Sequence, residues 1–264
     1  MPFLKRPDAE IFYSIHGAGS PVLLHHGWCC DGQDWAWMIP ELAKHHQVIV
    51  MDARGHGRST LASDYSFDTM VSDVEALLLK LETGPARLVG HSLGAAVASG
   101  LALRRPDLAT CVVAVDPAYG HPPEFGARLA PLAAYLSARP KDAATNVHAV
   151  FGHWVGETAP AHVRVLLERR VLGMDPDAIS GAFNGLQEVG LSPRERAGPM
   201  LEKRACPVLA FHSMEDSAAW EASIFSVPHS RAVHLPGRGH WLHIEAASDI
   251  SSQMLAWFIE SGTH

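Results

Sequence analysis

The segment Gly90-His91-Ser92-Leu93-Gly94 places a serine between two glycines, directly after the apolar run Ala86–Val89 and before a helix of small residues. A serine at such a strand–turn–helix junction presents its hydroxyl at the carboxyl end of a sheet, and the helix N-terminus behind it favours developing negative charge. This context predicts that Ser92 is a nucleophile for acyl carbon. The alternative is a serine that only caps the helix.

A base for this nucleophile is found near the end of the chain, in Leu235-Pro236-Gly237-Arg238-Gly239-His240-Trp241. His240 lies in a glycine-bracketed loop after the last predicted strand, and such a loop can reach back over the sheet to Ser92. An imidazole there can accept the serine proton. The alternative is an ordinary histidine of a surface loop.

Acyl transfer also needs backbone donors aimed at the forming oxyanion. The run Leu23–Trp28 ends in His-Gly-Trp, so the chain can turn there and bring the Trp28 amide to face the amide of Leu93. These two N–H groups are the predicted oxyanion hole. A plain glycine turn at the end of a strand is the alternative.

The histidines and cysteines do not indicate a metal site. The 17 histidines include the adjacent pairs His25-His26 and His45-His46, whose side chains point to opposite sides of an extended chain. No H-E-x-x-H and no C-x-x-C sequence occurs, and the four cysteines fit buried thiols. We expect no metal and no cofactor.

Charge and composition restrict the partners. The 264 residues carry a net charge of −7, which disfavours nucleic acid and anionic membranes because both attract a basic face. The N-terminus lacks the apolar region of a signal peptide, and the weakly polar stretch Leu88–Leu103 is shorter than the roughly 20 residues that span a bilayer. We expect a cytoplasmic monomer or homodimer acting on a small molecule.

Short apolar runs alternate with longer amphipathic stretches, which is typical of a mostly parallel sheet covered on both faces. The predicted strands are Ile11–His16, Val22–His26, Val48–Asp52, Arg87–His91, Cys111–Asp116, Val208–His212 and Ala232–Leu235. The predicted core helices are Phe67–Leu81, Leu93–Arg104 and Ala247–Ile259.

Between Asp116 and Pro207 this alternation stops, and only helix-like pieces follow one another. They are Pro131–Ala138, Asp142–Val155, Ala161–Leu172 and Ala178–Leu186. The pattern predicts a helical lid over residues 121–204, inserted into a core formed by residues 1–120 and 205–264.

In this order, His-Gly-Trp, Asp52–Ser59, Gly-His-Ser-Leu-Gly and Gly-Arg-Gly-His resemble the α/β-hydrolase superfamily, over residues 11–116 and 206–264. The resemblance implies an eight-stranded, mostly parallel sheet with helices on both faces and a helical lid. It also implies that Ser92 is the nucleophile and His240 the base, with Trp28 and Leu93 as the oxyanion amides. The Asp52–Ser59 loop would be structural, with Arg54 paired.

Two aspartates are candidates for the carboxylate that orients the base. Asp216 follows the Val208–His212 strand, where most family members carry the acid, and Asp116 follows the preceding strand, as in some lactonases and cofactor-independent dioxygenases. The spacing of 24 residues from Asp216 to His240 is short for the family, and the usual proline after the acid is absent. We favour Asp116, and both candidates stay open.

The resemblance and the serine together favour a hydrolase of carboxylic esters or lactones that works through an acyl-enzyme, with specificity set by the lid. Ser92 argues against epoxide hydrolases and haloalkane dehalogenases, which need a carboxylate nucleophile. A carbon–carbon bond hydrolase, a cofactor-independent dioxygenase that uses the His/Asp pair, and a non-enzymatic receptor are the alternatives. Aromatic residues predicted to line an apolar substrate pocket are Trp28, Tyr119, Trp154, Phe183 and Trp241.

Overall fold

The computed structural model describes residues 2–157 and 159–263, and its centre is an eight-stranded sheet with the strand order β1-β2-β4-β3-β5-β6-β7-β8. The strands are β1 Phe3–Lys5, β2 Glu10–His16, β3 Pro21–His25, β4 Gln47–Met51, β5 Ala86–His91, β6 Ala109–Val115, β7 Val208–His212 and β8 Arg231–His234. Strand β2 pairs antiparallel with both β1 and β4, and the pairs among β3 to β8 are parallel. The predicted eight-stranded, mostly parallel sheet is confirmed.

Eleven α-helices are found in the described residues. They are α1 Ile39–Leu42, α2 Phe67–Lys80, α3 Leu93–Arg104, α4 Pro123–Ala138, α5 Ala143–Phe151, α6 Ala161–Leu172, α7 Pro176–Glu188, α8 Arg194–Leu201, α9 Glu215–Ser223, α10 Leu242–Glu245 and α11 Ala247–Glu260. The sequence pattern predicted α3 and α6 to the residue, but α8 and α9 are not among the predicted helices. None of the helices in the described ranges is long and apolar enough to span a bilayer.

The parallel strands are buried on both faces because their side chains alternate between two apolar clusters. Leu23, Leu88 and Val112 pack with α2 and α3 on one face. Leu24 and Val113 pack on the other face with aromatic and aliphatic residues of α1 and α11. This accounts for the apolar runs without alternation in the sequence. Because parallel strands all end at one edge, the loops after β3, β5, β6 and β7 come together there.

Helices α4 to α8 follow one another between β6 and β7, and residues 122–207 add no strand to the sheet in the described part of that segment. An isolated bridge pairs His121, which precedes α4, with Pro193, which precedes α8. The Trp28 indole Nε1 donates to the carbonyl oxygen of Ile179 in α7 at 2.9 Å. The helical segment therefore packs directly on the loop that follows β3.

A buried ion pair attaches the same segment to the core. Arg170 in α6 lies 3.0 Å from Asp31 and 2.5 Å from Asp34, whose side chain is fully buried. Burial raises the pKa of Asp34, and the guanidinium of Arg170 opposes this shift. The second oxygen of Asp34, Oδ2, has no hydrogen-bond partner among the described residues. Arg170 of the inserted helices is therefore the cation that opposes the effect of burial on Asp34.

We predict that Arg170→Met lowers the free energy of unfolding by about 3 kcal/mol at neutral pH, because it leaves a buried carboxylate without its cation. Chemical denaturation measures this change. Without Arg170, the pKa of Asp34 in the folded chain rises further above its unfolded value. The deficit is therefore small near pH 4 and grows as the pH rises.

The double variant Arg170→Met with Asp34→Asn is the matched control, because it removes the charge that the single variant strands. We expect it to recover more than half of the lost stability. Losses that simply add in the double variant would contradict a direct interaction between the two residues.

Candidate active site

Ser92 lies in a strained turn between β5 and α3, with φ of 51° and ψ of −114°. The flanking glycines are required by close backbone contacts. A Cβ on Gly94 would lie 2.2 Å from the carbonyl oxygen of His25, and one on Gly90 would lie 2.2 Å from the Gly94 backbone. The Ser92 side chain makes no capping hydrogen bond to α3, so its hydroxyl is not used as a helix cap. Strain of this kind costs energy and persists where the surroundings enforce it.

His240 is hydrogen-bonded to Asp116. The distance from His240 Nδ1 to Asp116 Oδ2 is 2.6 Å, and both side chains are mostly buried. The other carboxylate oxygen of Asp116 accepts from the Ser213 amide at 2.8 Å, and the Ser213 hydroxyl donates to both oxygens. Burial alone would raise the pKa of Asp116, but the hydrogen bond and charge of His240 and the Ser213 amide outweigh it and lower that pKa. Asp116 is therefore an ionised acceptor that holds the Nδ1–H of His240.

Asp216 is separated from His240. It lies in the first turn of α9, with its side chain 64% exposed, and it forms an ion pair of 2.5 Å with Arg194. The turn after β7 brings Ser213 rather than an acid toward Asp116, and α9 then carries Asp216 to the surface. Of the two aspartates considered from the sequence, the structure places Asp116 beside the imidazole.

Ser92 and His240 line the same cavity, together with Asp116. No hydrogen bond joins the Ser92 hydroxyl to His240 within the described ranges, so the structure shows the two groups facing one cavity rather than bonded. Catalytic hydrogen bonds are often long without substrate and tighten when it binds. The Asp116 bond leaves Nε2 of His240 as the ring nitrogen available for this contact.

Three contacts that the sequence did not predict hold the His240 loop. His91, inside the serine motif, donates from Nε2 to the His240 carbonyl at 2.9 Å, and the His240 amide donates to the Trp154 carbonyl at 2.8 Å. The Glu245 carboxylate accepts from the amides of Gly239 at 2.9 Å and Gly156 at 3.1 Å. A histidine within the motif and an acid in a short helix give no signal in the sequence.

The predicted oxyanion donors are free. Trp28 follows the β3 strand, and Leu93 is the first residue of α3, where helix geometry leaves the N–H without an internal acceptor. Neither amide donates a hydrogen bond to another residue of the described ranges. Both therefore remain available to a charged oxygen of a ligand beside Ser92.

The cavity has a volume of about 250 Å³, which suits a small molecule. Its apolar lining is Trp28, Phe125, Leu129, Trp154, Phe183 and Leu186, and Tyr119 also contributes. Its polar lining, which the sequence analysis did not single out, includes His121, Gln187, Ser192, His212 and Ser217. Four of the five predicted pocket residues lie on it.

Trp241 is a correction, because it does not line the cavity. Its side chain is 1% exposed and its Nε1 points to the Cys30 sulfur at 3.4 Å. Its ring packs against Phe151 with centroids 5.2 Å apart. The position of Trp241 next to His240 in the sequence did not determine the direction of its indole. Trp241 is the N-cap residue of α10, and its side chain is buried.

The buried histidines and thiols near the site, described next, are neutral. Burial lowers the pKa of His91 well below its ordinary value and that of His121 to about 4. Burial also raises the pKa of the Cys29 and Cys30 thiols, which excludes a thiolate nucleophile beside Trp28. Within the described ranges, no group of three or more His, Cys, Asp or Glu side chains could hold a metal ion.

Comparison with known proteins gives a consistent family assignment. The sequence is 25% identical over 250 residues to (E)-2-((N-methylformamido)methylene)succinate hydrolase of Acinetobacter baylyi, covering 93% of this chain and 92% of that protein. The fold is similar to a thermophilic esterase from Thermogutta terrifontis, with a TM-score of 0.85, 23% identity and 99% of both chains covered. It is also similar to the enol-lactonase from Burkholderia xenovorans, with a TM-score of 0.81 and 20% identity over 98% of this chain and 100% of that one.

The sequence model of the alpha/beta hydrolase fold matches residues 20–247, which include the strained serine turn, Asp116 and the His240 loop. The match covers most of the chain and is continuous across the inserted helices. The chain therefore belongs to the α/β-hydrolase family of enzymes.

Proposed function

We propose that the protein is a serine hydrolase of carboxylic esters or lactones, in which Ser92, His240 and Asp116 act together. The observation that carries this proposal is the 2.6 Å hydrogen bond from His240 to Asp116, in a cavity that Ser92 also lines. Two free backbone amides beside Ser92 support it. These are the groups that acyl transfer needs: nucleophile, oriented base and oxyanion donors.

In the first step, the Ser92 oxygen attacks the carbonyl carbon while its proton passes to Nε2 of His240. Asp116 stays ionised and stabilises the imidazolium that forms. The carbonyl π electrons move to oxygen, and the amides of Trp28 and Leu93 donate to this oxyanion. These amides act where charge develops, so they stabilise the transition state more than the bound substrate.

The tetrahedral intermediate collapses as the C–O bond to the leaving group breaks, and His240 gives its proton to the departing alkoxide. The acyl group remains on Ser92. Water then donates a proton to His240 and attacks the acyl carbon, and the second collapse returns the proton to Ser92 and releases the acid. For a lactone, both products remain one hydroxy acid.

We further propose that residues 121–204 form a lid that sets specificity on a core of residues 1–120 and 205–264. Phe125, Leu129, Trp154, Phe183 and Leu186 of this segment supply about half of the apolar residues that line the cavity. The cavity of about 250 Å³ then favours a compact, fairly apolar substrate over a long lipid chain.

The position of Asp116 after β6 is also compatible with two alternative functions. A carbon–carbon bond hydrolase would use the same three residues, and a cofactor-independent dioxygenase would use only His240 and Asp116 to deprotonate its substrate. The free amides beside Ser92 favour hydrolysis, because they can donate to the oxyanion that forms when a serine adds to a carbonyl, and proton abstraction by the imidazole does not require them.

We predict that Ser92→Ala lowers kcat/KM for p-nitrophenyl esters on the order of 10⁴-fold, because the nucleophile is lost. Wild-type protein should also be labelled at Ser92 by a fluorophosphonate, as mass spectrometry of the tryptic peptide would show. Ser252→Ala is the matched control and should keep its rate, because Ser252 is exposed on α11 and does not line the cavity. A Ser92→Ala variant with most of its activity would contradict the acyl-enzyme.

Asp116→Asn should lower kcat for the same esters about 10⁴-fold, since the amide cannot hold the Nδ1–H tautomer of His240. Asp216→Asn is the matched control and should stay within about twofold of wild type, because its side chain is exposed. Steady-state kinetics at saturating ester separates the two. An equal loss in both variants would count against Asp116 as the acid.

Leu129→Ala should widen the apolar wall and raise kcat/KM for a phenylacetate ester relative to an acetate ester by about tenfold, because the larger acyl group fills the space. Leu172→Ala is the control, since Leu172 lies on the inserted helices but is exposed and does not line the cavity. The ratio of the two kcat/KM values is the measurement. Equal ratios in both variants would argue against a lid that sets acyl specificity.

A further inference from the structure

The cavity has a second imidazole–carboxylate pair that the reaction described above does not use. His212, the last residue of β7, lines the cavity and is 3% exposed. Its Nε2 lies 2.9 Å from Oε2 of Glu221 in α9, whose side chain is fully buried. His212 is therefore a buried polar group at the surface of the substrate site.

Glu221 is held as a carboxylate by three donors. Its Oε1 accepts from the Tyr119 hydroxyl at 2.8 Å and from Arg204 at 3.1 Å, in addition to the contact of Oε2 with His212. Burial alone would raise the pKa of Glu221, but the His212 hydrogen bond and the charge of Arg204 outweigh it and lower that pKa. An ionised carboxylate only accepts hydrogen bonds, so Nε2 of His212 carries a proton.

This contact fixes what His212 presents to the cavity. With Nε2–H donated to Glu221, the neutral ring has its lone pair on Nδ1, and the protonated ring has an N–H there. Nδ1 makes no hydrogen bond with a residue of the described ranges, and this atom is not fully buried. The open space beside this ring is the cavity itself.

We call the part of the cavity lining around His212 its polar end. His121 reaches the Ser192 hydroxyl through its Nδ1 at 3.3 Å, and Ser192, Gln187 and Ser217 also line the cavity. No lysine or arginine is among the lining residues of the described chain, and Asp116 is among them. The polar end therefore offers hydrogen bonds without a permanent positive charge.

We propose that this polar end binds a hydroxyl group of the substrate through Nδ1 of His212, with Glu221 as the positioning residue that sets the tautomer. The inference rests on the proposed hydrolase function and names the substrate class: an ester or lactone with an apolar body and a hydroxyl substituent. A hydroxyl fits because it both donates and accepts, so it pairs with Nδ1 in either protonation state.

Other substituents fit this end less well. A carboxylate would approach Asp116 without a lysine or arginine to balance its charge. An alkyl or unsubstituted aryl group would exclude water from Nδ1 and leave a buried nitrogen unpaired, which sites built for a polar group strongly reject. Of the groups compared, the hydroxyl pairs with this nitrogen while the apolar body of the substrate contacts the aromatic wall.

The test compares p-nitrophenyl phenylacetate with its 3-hydroxy and 4-hydroxy analogues. For the wild-type protein we expect kcat/KM to be about tenfold higher or more for at least one hydroxylated ester. In His212→Gln, the amide nitrogen replaces Nε2 and keeps the contact with Glu221, but nothing replaces Nδ1. That variant should lose the preference, so that its kcat/KM values for the hydroxylated and parent esters become about equal.

Three controls make the result specific. His212→Asn places an amide near the Nδ1 position and should recover part of the preference. Met214 lines the same cavity but has no polar hydrogen-bonding group, so Met214→Leu should leave the preference unchanged. Thermal unfolding of each variant shows that the fold is retained.

A wild-type protein that hydrolyses all three esters equally, or a His212→Gln variant that keeps the preference, would overturn the inference and leave the hydrolase proposal intact. If no ester is cleaved, the hydrolase proposal fails instead. Calorimetric binding of 4-hydroxyphenylacetamide and phenylacetamide to wild type and His212→Gln then tests the hydroxyl site by itself. Equal Kd values for the two amides in the wild type would overturn it.

Discussion

The hydrogen bond between His240 and Asp116 is the interaction on which the rest of the site depends. It connects a loop near the C-terminus to the end of β6 across 124 residues of chain, and it fixes which nitrogen of the imidazole faces the cavity. Two backbone contacts keep the loop in place, from His91 inside the serine motif and to Trp154 in the inserted segment. The position of His240 is therefore set jointly by the serine turn, Asp116 and the inserted helices.

The inserted helices also make contacts that position parts of the site. Glu245 accepts from amides on both the base loop and the inserted segment, and Arg170 reaches the buried Asp34 below the β3 loop. The aromatic side chains of the segment pack on Trp28, whose own amide is one of the proposed oxyanion donors. A shift of these helices would therefore move the apolar wall, the base loop and the β3 loop together, because all three share contacts with them.

Two imidazole–carboxylate pairs lie on one cavity, and their surroundings give them different roles. Asp116 is satisfied by Ser213 and His240, so the free nitrogen of His240 faces the space near Ser92. Glu221 accepts hydrogen bonds from Arg204 and Tyr119 as well as from His212, and the ring it holds lies at the polar end. The first pair shares its cavity with Ser92, the proposed nucleophile, and is suited to moving a proton. The second is suited to recognising a substituent.

The sequence by itself determined the sheet, the serine turn and the loop of the base, because local patterns encode them: apolar runs for buried strands, glycines where a Cβ would clash with the backbone, and a glycine-bracketed histidine after a strand. It left the acid open between Asp116 and Asp216, since both follow parallel strands that end at the same edge. Only the tertiary structure separated them, through the turn at Ser213 and the direction of α9. It also decided the direction of the Trp241 indole and the pairing of His212 with Glu221, because long-range packing orients a side chain and no local spacing records it.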